Sequence, residues 1–493
     1  MNDASAPDAP AAPDSRSPPS AAPPPSPEPV WARRHGSLRV LGLLAVSLVP
    51  GVLAVLQLGR IHPDEVFQSL EPAWWRVHGY GVLAWEWREG LRNWAAPGVL
   101  AAFLKLAEVL GITNPRIYRG VVAVPQFALH AWSLWAAYRF AARRAGPWGG
   151  ALAVLLLGLS GPVLLFAGRT LSESFSASFL LVAMEALDRP VTGQAAQVRR
   201  AGLVGGLALG LAVVTRYPSA LFVVAALVWL AVARRWRLLA FTVLGGAGVA
   251  VGLGLLDWGT WGTPFHSFLA YLRYNVISGE AAAAFGASPP DFYRQPLLRA
   301  VPLWAWAALP LSVGPLLRLR ALSLPLTCAV VYTAVLLITP HKEERFLYPG
   351  LVVGLLAAAA QLAVAITRLS RPGMRGGVAV LALGLGFVHA TGFPSQDLRA
   401  DQFRAIVRAT RGDATGLLIV NEGLWGSGGF FYVGRNIPWR TCDWPHDAAF
   451  QASIRDRAFN RAVTFEGRAL TELQSAGFHV VRQVGRETIL ARD

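Results

Sequence analysis

Long apolar segments alternate with short polar ones through most of the chain. A helix rising 1.5 Å per residue needs about 20 residues to cross a hydrocarbon core ~30 Å thick. Several segments approach that length, and a few are shorter. They are Val40–Leu58, Val121–Ala142, Trp148–Phe166, Leu171–Leu187, Ala201–Val214, Ser219–Val232, Leu238–Leu256, Val301–Leu317, Ala321–Ile338, Leu347–Ile366 and Gly376–Ala390. The pattern predicts an α-helical polytopic membrane protein with about 11 transmembrane helices.

Both ends of the chain depart from this pattern. Residues 1–37 consist largely of Ala, Pro and Ser, with too little apolar surface to offset the entropy of ordering. After residue 392 the hydropathy falls. We therefore predict a disordered tail over 1–37, a transmembrane body over 38–392 and a small separate domain over 393–493.

The last hundred residues contain recognisable elements. Leu398 to Arg411 has apolar residues at helical spacing, Gly416 to Val420 is typical of a buried strand, and Phe478 to Leu490 resembles a two-stranded hairpin. We predict a small α/β domain there.

Charge distinguishes the two sides of the predicted membrane body. The chain is 54% hydrophobic and only 15% charged, yet its net charge is +16. Its arginines lie mainly in alternate loops between the apolar segments, as cytoplasmic loops do. These are Arg143 and Arg144; Arg189, Arg199 and Arg200; Arg234, Arg235 and Arg237; Arg318 and Arg320; and Arg368, Arg371 and Arg375. The pattern favours contact with the bilayer over nucleic-acid binding, and it predicts a cytoplasmic N-terminus and an outer C-terminal domain.

A carboxylate pair follows the first apolar segment on the predicted outer side. His62, Asp64 and Glu65 stand where the chain would leave the membrane. Asp64 could act as a general base toward a hydroxyl, and His62 could orient it or bind phosphate. The alternative is that Asp64 and Glu65 only cap a helix, because Pro and acidic residues suit its first turn.

A second charged run lies on the same predicted face. His341, Lys342, Glu343 and Arg345 stand together between two apolar segments. Such cations could hold a phosphate group, with Arg bidentate and Lys as a point charge. The alternative is an ordinary charged loop with ion pairs of its own.

Further outer residues complete the candidate site. Arg169 and Arg216 are single arginines at the same level, and Tyr274 is one of several aromatic residues that could stack on sugars or lie in the aromatic belt. The outer acids form no Asp-x-Asp pair and no His-x-x-x-His is present. We therefore predict neither a metal nor a cofactor.

The charged motifs resemble those of glycosyltransferase family 22, the dolichyl-phosphate-mannose-dependent mannosyltransferases. The similar segments are His62-Pro63-Asp64-Glu65, Trp85-Glu86-Trp87-Arg88-Glu89-Gly90-Leu91-Arg92 and His341-Lys342-Glu343 with Arg345-Phe346. The resemblance implies a GT-C fold with a non-cytoplasmic active site. In it Asp64 would be the base and Glu65 a supporting acid, while His341, Lys342 and Arg345 would attend the lipid phosphate. Substrate contacts are also expected from residues of the matching first loop, namely Trp85, Glu86, Arg88 and Arg92.

The sequence thus predicts an integral-membrane glycosyltransferase. It would transfer mannose, or another hexose, from a polyprenyl-phosphate donor to a glycan or glycolipid hydroxyl on the outer face, by inverting single displacement. The Ala/Pro-rich tail and the presence of only two lysines, Lys105 and Lys342, favour a bacterial cytoplasmic membrane.

Two other classes of protein are compatible with this sequence. A polytopic lipid or sugar transporter would place ionisable residues near the bilayer midplane. Glu173 and Glu185 are the candidates, although Glu173 lies near the outer end of its segment and could join the site. A non-catalytic assembly subunit would tolerate replacement of Asp64.

Overall fold

The chain is mostly helical up to residue 393 and mixed α/β beyond it. The computed structural model describes residues 30–189, 194–316, 323–393, 397–445 and 448–493. Most of the predicted disordered tail therefore lies outside the described residues, as do Arg318 and Arg320. The first helices are α1 (Val30–Ser47), α2 (Val49–Leu56), α3 (Glu71–His78), α4 (Trp85–Arg88) and α5 (Ala95–Val109).

The middle of the chain forms the helical core. Its helices are α6 (Pro115–Gly158), α7 (Gly161–Phe166), α8 (Ser172–Leu187), α9 (Ala195–Thr215), α10 (Ala220–Val232) and α11 (Trp236–Trp261). The backbone leaves helical geometry inside α6 at Gly146, where φ is 71°. Helix α8 is buried along nearly its whole length and packs against α6 and α9. It is therefore the central helix of the body.

The remaining helices of the body follow α11 along the chain and return to pack against α8. They are α12 (His266–Leu272), α13 (Glu280–Phe285), α14 (Arg294–Ala300), α15 (Leu303–Leu316), α16 (Leu324–Ile338), α17 (Tyr348–Thr367) and α18 (Pro372–Thr391). Helix α17 packs against both α6 and α8. The body thus closes around the central helix.

The predicted apolar segments all overlap described helices. Five helices have the length and hydropathy of membrane spans: Gly36–Leu56, Ala195–Thr215, Trp236–Trp261, Glu344–Thr367 and Pro372–Thr391. Two shorter apolar helices are Tyr217–Val232 and Leu324–Ile338. The chain is an integral multi-pass membrane protein, and the count of eleven crossings stays a prediction.

The charged residues gather at opposite ends of α8. At its C-terminal end Arg143 Nη1 donates to Glu185 Oε1 at 2.6 Å, and Arg144 pairs with Asp188. Arg235 also reaches this end, donating to the Leu187 carbonyl at 3.4 Å. The candidate catalytic residues lie at the other end, ~24 Å away at 1.5 Å per residue. The two groups of loops separated by the charge pattern are therefore separated in space.

The C-terminal domain contains a five-stranded mixed sheet. Its strands are β1 (Leu417–Val420), β2 (Trp439–Cys442), β3 (Arg461–Thr464), β4 (His479–Val484) and β5 (Glu487–Ala491), in the order β2-β1-β3-β5-β4. Strand β1 is parallel to β2 and β3, whereas β5 is antiparallel to β3 and β4. Its helices are α19 (Ala400–Ala409), α20 (Gly429–Val433), α21 (Ala448–Arg455) and α22 (Ala469–Ser475). The predicted first helix, first strand and final hairpin are confirmed.

The C-terminal domain is bonded to the segment before Asp64. The amide of Gly59 donates to Asp397 Oδ1 at 2.5 Å, and the Tyr432 hydroxyl donates to the Leu58 carbonyl at 2.7 Å. The domain therefore fixes the backbone where the chain leaves its first apolar segment.

A buried carboxylate attaches the same domain to the segment after Asp64. Glu71 accepts backbone N–H groups from Val82, Phe430 and Phe431, each at 2.9 Å. A Cβ at Gly429, where φ is +66°, would lie 2.5 Å from the Glu71 carboxyl carbon, so only glycine allows this approach. Four residues of the C-terminal domain make these hydrogen bonds to the segments on either side of Asp64. We call them the C-terminal clamp: Asp397, Phe430, Phe431 and Tyr432.

Candidate active site

A widened helical turn positions the first candidate residues. Glu65–Leu70 is a π-helix that continues into α3, which has Pro72 in its first turn. Proline has no N–H to close an ordinary helical bond, which favours a wider turn before it. Within this turn Gln68 lies over Asp64, and its Nε2 donates to Asp64 Oδ2 at 2.6 Å.

Asp64 lies in a polar cluster contributed by two distant parts of the chain. His62 Nδ1 is 3.3 Å from Asp64 Oδ1, and Arg345 Nη1 is 2.6 Å from Asp64 Oδ2. His62 Nε2 also lies 3.7 Å from Glu343 Oε2. The structure thus brings together the two charged motifs that the sequence separates by nearly three hundred residues.

The surroundings of Asp64 favour its ionised form. Burial alone would raise the pKa of this carboxyl, but Arg345 and the hydrogen bond with His62 outweigh that effect and hold the pKa well below its ordinary value. Asp64 occupies the position before the π-helix without bonding to the helix N–H groups. The capping interpretation is therefore wrong for Asp64.

Glu65 points away from Asp64. Its Oε1 accepts the Ile61 amide at 2.6 Å, while Oε2 lies 3.7 Å from Arg119 Nη2 and 3.8 Å from Arg169 Nη1. Arg169 itself donates to the Gly59 carbonyl at 2.8 Å. Glu65 and Arg169 therefore stabilise the backbone of the loop at Gly59 and Ile61. Neither side chain belongs to the cluster around Asp64.

Arg345 is the centre of the ionic network. Its Nε and Nη2 donate to the two oxygens of Glu343 at 2.7 and 3.1 Å. Its Nη1 lies between Asp64 and Glu173, 3.4 Å from Glu173 Oε1. The charged-loop interpretation is correct in that Arg345 and Glu343 pair within their own run, but Arg345 also reaches across to Asp64.

Glu173 belongs to this network. It lies in the first turn of α8, is fully buried, and accepts Arg216 Nη1 at 2.8 Å. The Arg216 guanidinium also lies 4.8 Å from the centre of the Phe346 ring. Glu173 and Glu185 thus occupy opposite ends of α8, and neither lies midway, where a transporter would place its ionisable groups.

A second hydrogen-bonded chain approaches Asp64 from the first outer loop. Gln68 Nε2 lies 3.0 Å from Glu86 Oε2, and Arg92 Nη2 donates to Glu86 Oε1 at 2.6 Å. One amide group of Gln68 therefore joins two carboxylates. The sequence analysis identified Glu86 and Arg92 but missed Gln68, whose spacing of four residues from Asp64 was the available signal.

Three other predicted residues lie at the edge of the cluster or outside it. His341 Nε2 is 3.4 Å from Glu343 Oε1, so His341 adjoins the network. Lys342 is nearly buried and donates to the Ser288 carbonyl at 3.0 Å, which makes it a loop contact and not a partner of Asp64. Arg88 is exposed on α4.

Aromatic rings line the outer loop beside the network. Trp85 and Tyr274 have ring centres 5.1 Å apart, and Trp85 is 5.9 Å from Phe285. Tyr274 is therefore in ring contact with the first outer loop, although about 190 residues of sequence separate it from Trp85.

A cavity of about 530 Å³ opens beside the ionic network. His62, Glu343 and Arg345 lie at its polar end. Its apolar wall comes from Pro162, Leu165, Phe166, Leu347, Tyr348, Leu351 and Phe393. The cavity suits a ligand with an anionic head and an apolar chain. Over the described ranges, no group of three or more His, Cys, Asp or Glu could hold a metal ion.

Comparison with known proteins places the chain among sugar-transferring membrane proteins. A model of the Alg9-like mannosyltransferase family matches residues 43–401. GPI mannosyltransferase 3 of Yarrowia lipolytica is 31% identical over 304 residues, which cover 60% of this chain and 57% of that protein. GPI alpha-1,2-mannosyltransferase 3 of Danio rerio is 26% identical over 327 residues, 65% of this chain and 59% of that protein. The chain spans less than two thirds of the length of these relatives.

A solved structure shares the fold. ArnT from Cupriavidus metallidurans, bound to undecaprenyl phosphate, superimposes with a TM-score of 0.64 over 92% of this chain and 97% of that chain. The sequence identity is 15%, so the likeness concerns the fold alone. The predicted polytopic GT-C fold with a small C-terminal sheet is confirmed.

Proposed function

The chain belongs to the Alg9-like mannosyltransferase family, and from this premise we propose that it is a membrane glycosyltransferase. It moves mannose, or another hexose, from a polyprenyl-phosphate donor to a hydroxyl of a glycan or glycolipid. The observation that carries the proposal is the Asp64–Arg345 pair, because Arg345 contacts Asp64 and also lines a cavity with an apolar wall. A base and a phosphate-binding cation are thus adjacent.

The cavity accounts for the donor. A polyprenyl chain is apolar and its phosphate is anionic, which matches the apolar wall and the polar end that carries Arg345. The fold neighbour ArnT was solved with undecaprenyl phosphate, a lipid of this class. We assign the donor phosphate to Arg345 and His62, which both line the cavity.

The reaction is a single displacement. Asp64 accepts the proton of the acceptor hydroxyl as that oxygen forms a bond to the anomeric carbon. The bond from this carbon to the phosphate oxygen breaks, and the lipid phosphate departs with the bonding electrons. Arg345 stabilises the charge that develops on it. Attack opposite the leaving phosphate inverts the anomeric centre.

The supporting residues have separate tasks in this scheme. Glu173 and Glu343 orient Arg345, and Gln68 orients Asp64. Glu65 holds the loop with Arg119 and does not transfer protons. These roles follow from the direction in which each side chain points.

The arrangement in the membrane follows from the charge pattern. We place the Arg-rich end of α8 on the cytoplasmic side, with the N-terminus. The catalytic cluster and residues 393–493 then lie outside, above a body of residues 38–392. The tail composition favours a bacterial cytoplasmic membrane.

Transfer of label in membranes tests the proposal. Membranes carrying the wild type should move radiolabelled mannose from polyprenyl-phosphate mannose to endogenous glycolipid, whereas Asp64→Asn should reduce the rate by at least about a hundredfold. Asp291→Asn, at an exposed loop position, is the matched control and should keep the wild-type rate. Retained transfer by Asp64→Asn in a folded protein would contradict the role of Asp64. If neither the wild type nor either variant transfers label, the proposed donor or the proposed acceptor is wrong.

A further inference from the structure

Four aromatic rings form a continuous surface on one side of Asp64. Trp85 contacts Tyr274 and Phe285, with ring centres 5.1 and 5.9 Å apart. Phe285 continues to His341 at 5.3 Å. We call these four residues the aromatic platform. They come from three separate outer segments, so folding alone brings them together.

The aromatic platform joins the ionic network at both ends. Trp85 is followed directly by Glu86, which meets Gln68 and through it Asp64. At the other end His341 lies 3.4 Å from Glu343, the partner of Arg345. A ligand on the platform would therefore lie beside the proposed base.

The platform is distinct from the cavity assigned to the donor. The residues that line the cavity come from the apolar wall around Phe166 and Tyr348 and from the polar end at His62. Trp85, Tyr274 and Phe285 are not among them. A displacement reaction needs its two substrates on opposite sides of the reacting carbon, and two separate surfaces allow that arrangement.

The platform is open to a ligand. Phe285 is 53% exposed, although it is an apolar ring. Carboxylates surround it, since Glu280 and Glu89 are exposed near Tyr274. Apolar C–H faces that pack on aromatic rings, together with hydroxyls that donate to carboxylates, are the two features of a sugar ring.

The segment that carries Tyr274 also favours a membrane-bound ligand. Val276 and Ile277 are 67% and 73% exposed, and Leu269 is exposed as well. In a multi-pass protein, such apolar side chains on an outer loop suit the membrane interface. A glycan that reaches the platform would then arrive along the bilayer surface, attached to a lipid.

We propose that the aromatic platform is the acceptor subsite and that it stacks a sugar ring of a lipid-linked glycan. The assignment rests on the proposed function, because it names the second substrate of the same site. Phe285, which no sequence motif indicated, becomes a specificity-determining residue. The acceptor hydroxyl is thereby presented to Asp64 from the side opposite the cavity.

Saturation-transfer NMR tests the platform without requiring turnover. The full chain is placed in nanodiscs of deuterated lipid and titrated with octyl α-mannoside. Sugar-ring protons should receive saturation from the wild type. Phe285→Ala and Trp85→Ala should each weaken the apparent affinity about tenfold, a factor that corresponds to ~1.4 kcal/mol. Trp258→Ala is the matched control, because Trp258 is 60% exposed on the same outer side.

The outcomes separate this proposal from the proposed function. Equal binding by all variants, or absence of sugar signals with the wild type, would overturn the platform. Equal binding of 1-octanol in competition would show that only the alkyl chain is recognised, and would overturn it too. If the platform variants lose binding while no form transfers mannose, the platform stands as a sugar-binding surface, and it is the transferase proposal that fails. Phe285→Ala removes an exposed ring, so loss of folding does not confuse the result.

Discussion

Arg345 contacts three carboxylates with one guanidinium. Asp64, Glu173 and Glu343 all lie within 3.4 Å of its nitrogens. A donor phosphate must therefore displace one of them. Asp64 and Glu173 are each held by a single nitrogen, whereas Glu343 is held by two. Glu173 is also fixed by Arg216, which leaves Asp64 as the partner with the fewest cationic contacts. We expect the donor to displace Asp64, so the base is released when the donor is in place.

Substitution of Gln68 tests how its hydrogen bond affects the pKa of Asp64. Gln68→Glu would place a third carboxylate between Asp64 and Glu86, which disfavours ionised Asp64 and raises its pKa. The acid limb of kcat/KM, which reports the free enzyme, should move up by about one pH unit. Because the pKa of Asp64 lies well below its ordinary value, transfer rates must be followed from neutral pH down to about pH 2 to reveal the shift.

The neutral substitution at the same position supplies the control. Gln68→Met removes the hydrogen bond without adding charge, so kcat should fall while the acid limb moves less. Superimposable pH profiles for the wild type and Gln68→Glu would show that Gln68 does not act on Asp64.

At single positions, the sequence predicted which residues belong to the site better than it predicted where their side chains point. Asp64, His62, Arg345 and Glu343 lie together as expected, because the motif spacing identified them and the predicted topology put them on one face. Glu65 stands next to Asp64, yet its side chain points into the protein. Side-chain direction depends on the π turn, and no periodicity argument anticipates a π turn.

Two elements of the C-terminal domain, α20 and the segment before α19, hold the backbone around Asp64. The C-terminal clamp bonds to Leu58 and Gly59 before it and to Glu71 after it. The π turn between these attachments also packs against α5. The geometry of Asp64 therefore depends on α20 and on the segment before α19.

Glu71 should make the attachment of the clamp pH-dependent. Burial raises its pKa to about 7 from 4.5, even though three N–H groups donate to it. Between these values the folded protein retains a proton that the unfolded chain has released, so the unfolding free energy falls as pH rises through this window. At ~1.36 kcal/mol per pKa unit, the fall amounts to about 3 kcal/mol.

Thermal unfolding across pH 4–8 checks this expectation. The wild type should lose stability between about pH 4.5 and 7, and Glu71→Gln should remove that component because the side chain no longer titrates. Glu89→Gln, at an exposed position, should keep the wild-type profile. A Glu71→Gln profile with the same slope as the wild type would contradict a buried, protonated Glu71.

Element prediction succeeded where the pattern was long or strictly periodic. The helix at α19 and the strand at β1 were evident from Phe403, Ile406 and the run Leu417–Val420, all buried. Strands β2 and β3 were missed, because neither is an unbroken apolar run like β1 and β2 alternates only partly between buried and exposed positions. These two segments form strands because they pair with β1 in the folded sheet, a contact that the local sequence does not indicate.

Across the whole molecule, α8 separates two chemically different ends. One carries the arginine cluster around Glu185, and the other carries Asp64, Glu173 and Arg345. Alternating arginine content predicted this division from sequence alone. The number of crossings could not be fixed in the same way, because several helices, such as Leu324–Ile338, are shorter than a full span.

Labelling from each side of the membrane tests the orientation. Glu280→Cys and Arg237→Cys lie at exposed positions near the two ends. An impermeant maleimide should label Glu280→Cys from outside intact cells, and Arg237→Cys only after the membrane is opened. The native Cys328 and Cys442 are buried and should give little background. Labelling of both variants from one side would contradict the proposed topology.

The clamp also has a consequence for the timing of synthesis. It joins Gly59 to a side chain 338 residues later, and Leu58 to one 374 residues later. A ribosome that adds about 5–20 residues per second takes roughly 20–70 s to make that stretch. Throughout this interval the loop around Asp64 is already made but lacks its attachment to the C-terminal clamp. A segment made more than three hundred residues later therefore completes the catalytic loop, so a chain stalled before it would insert helices and still lack the clamp that positions the base.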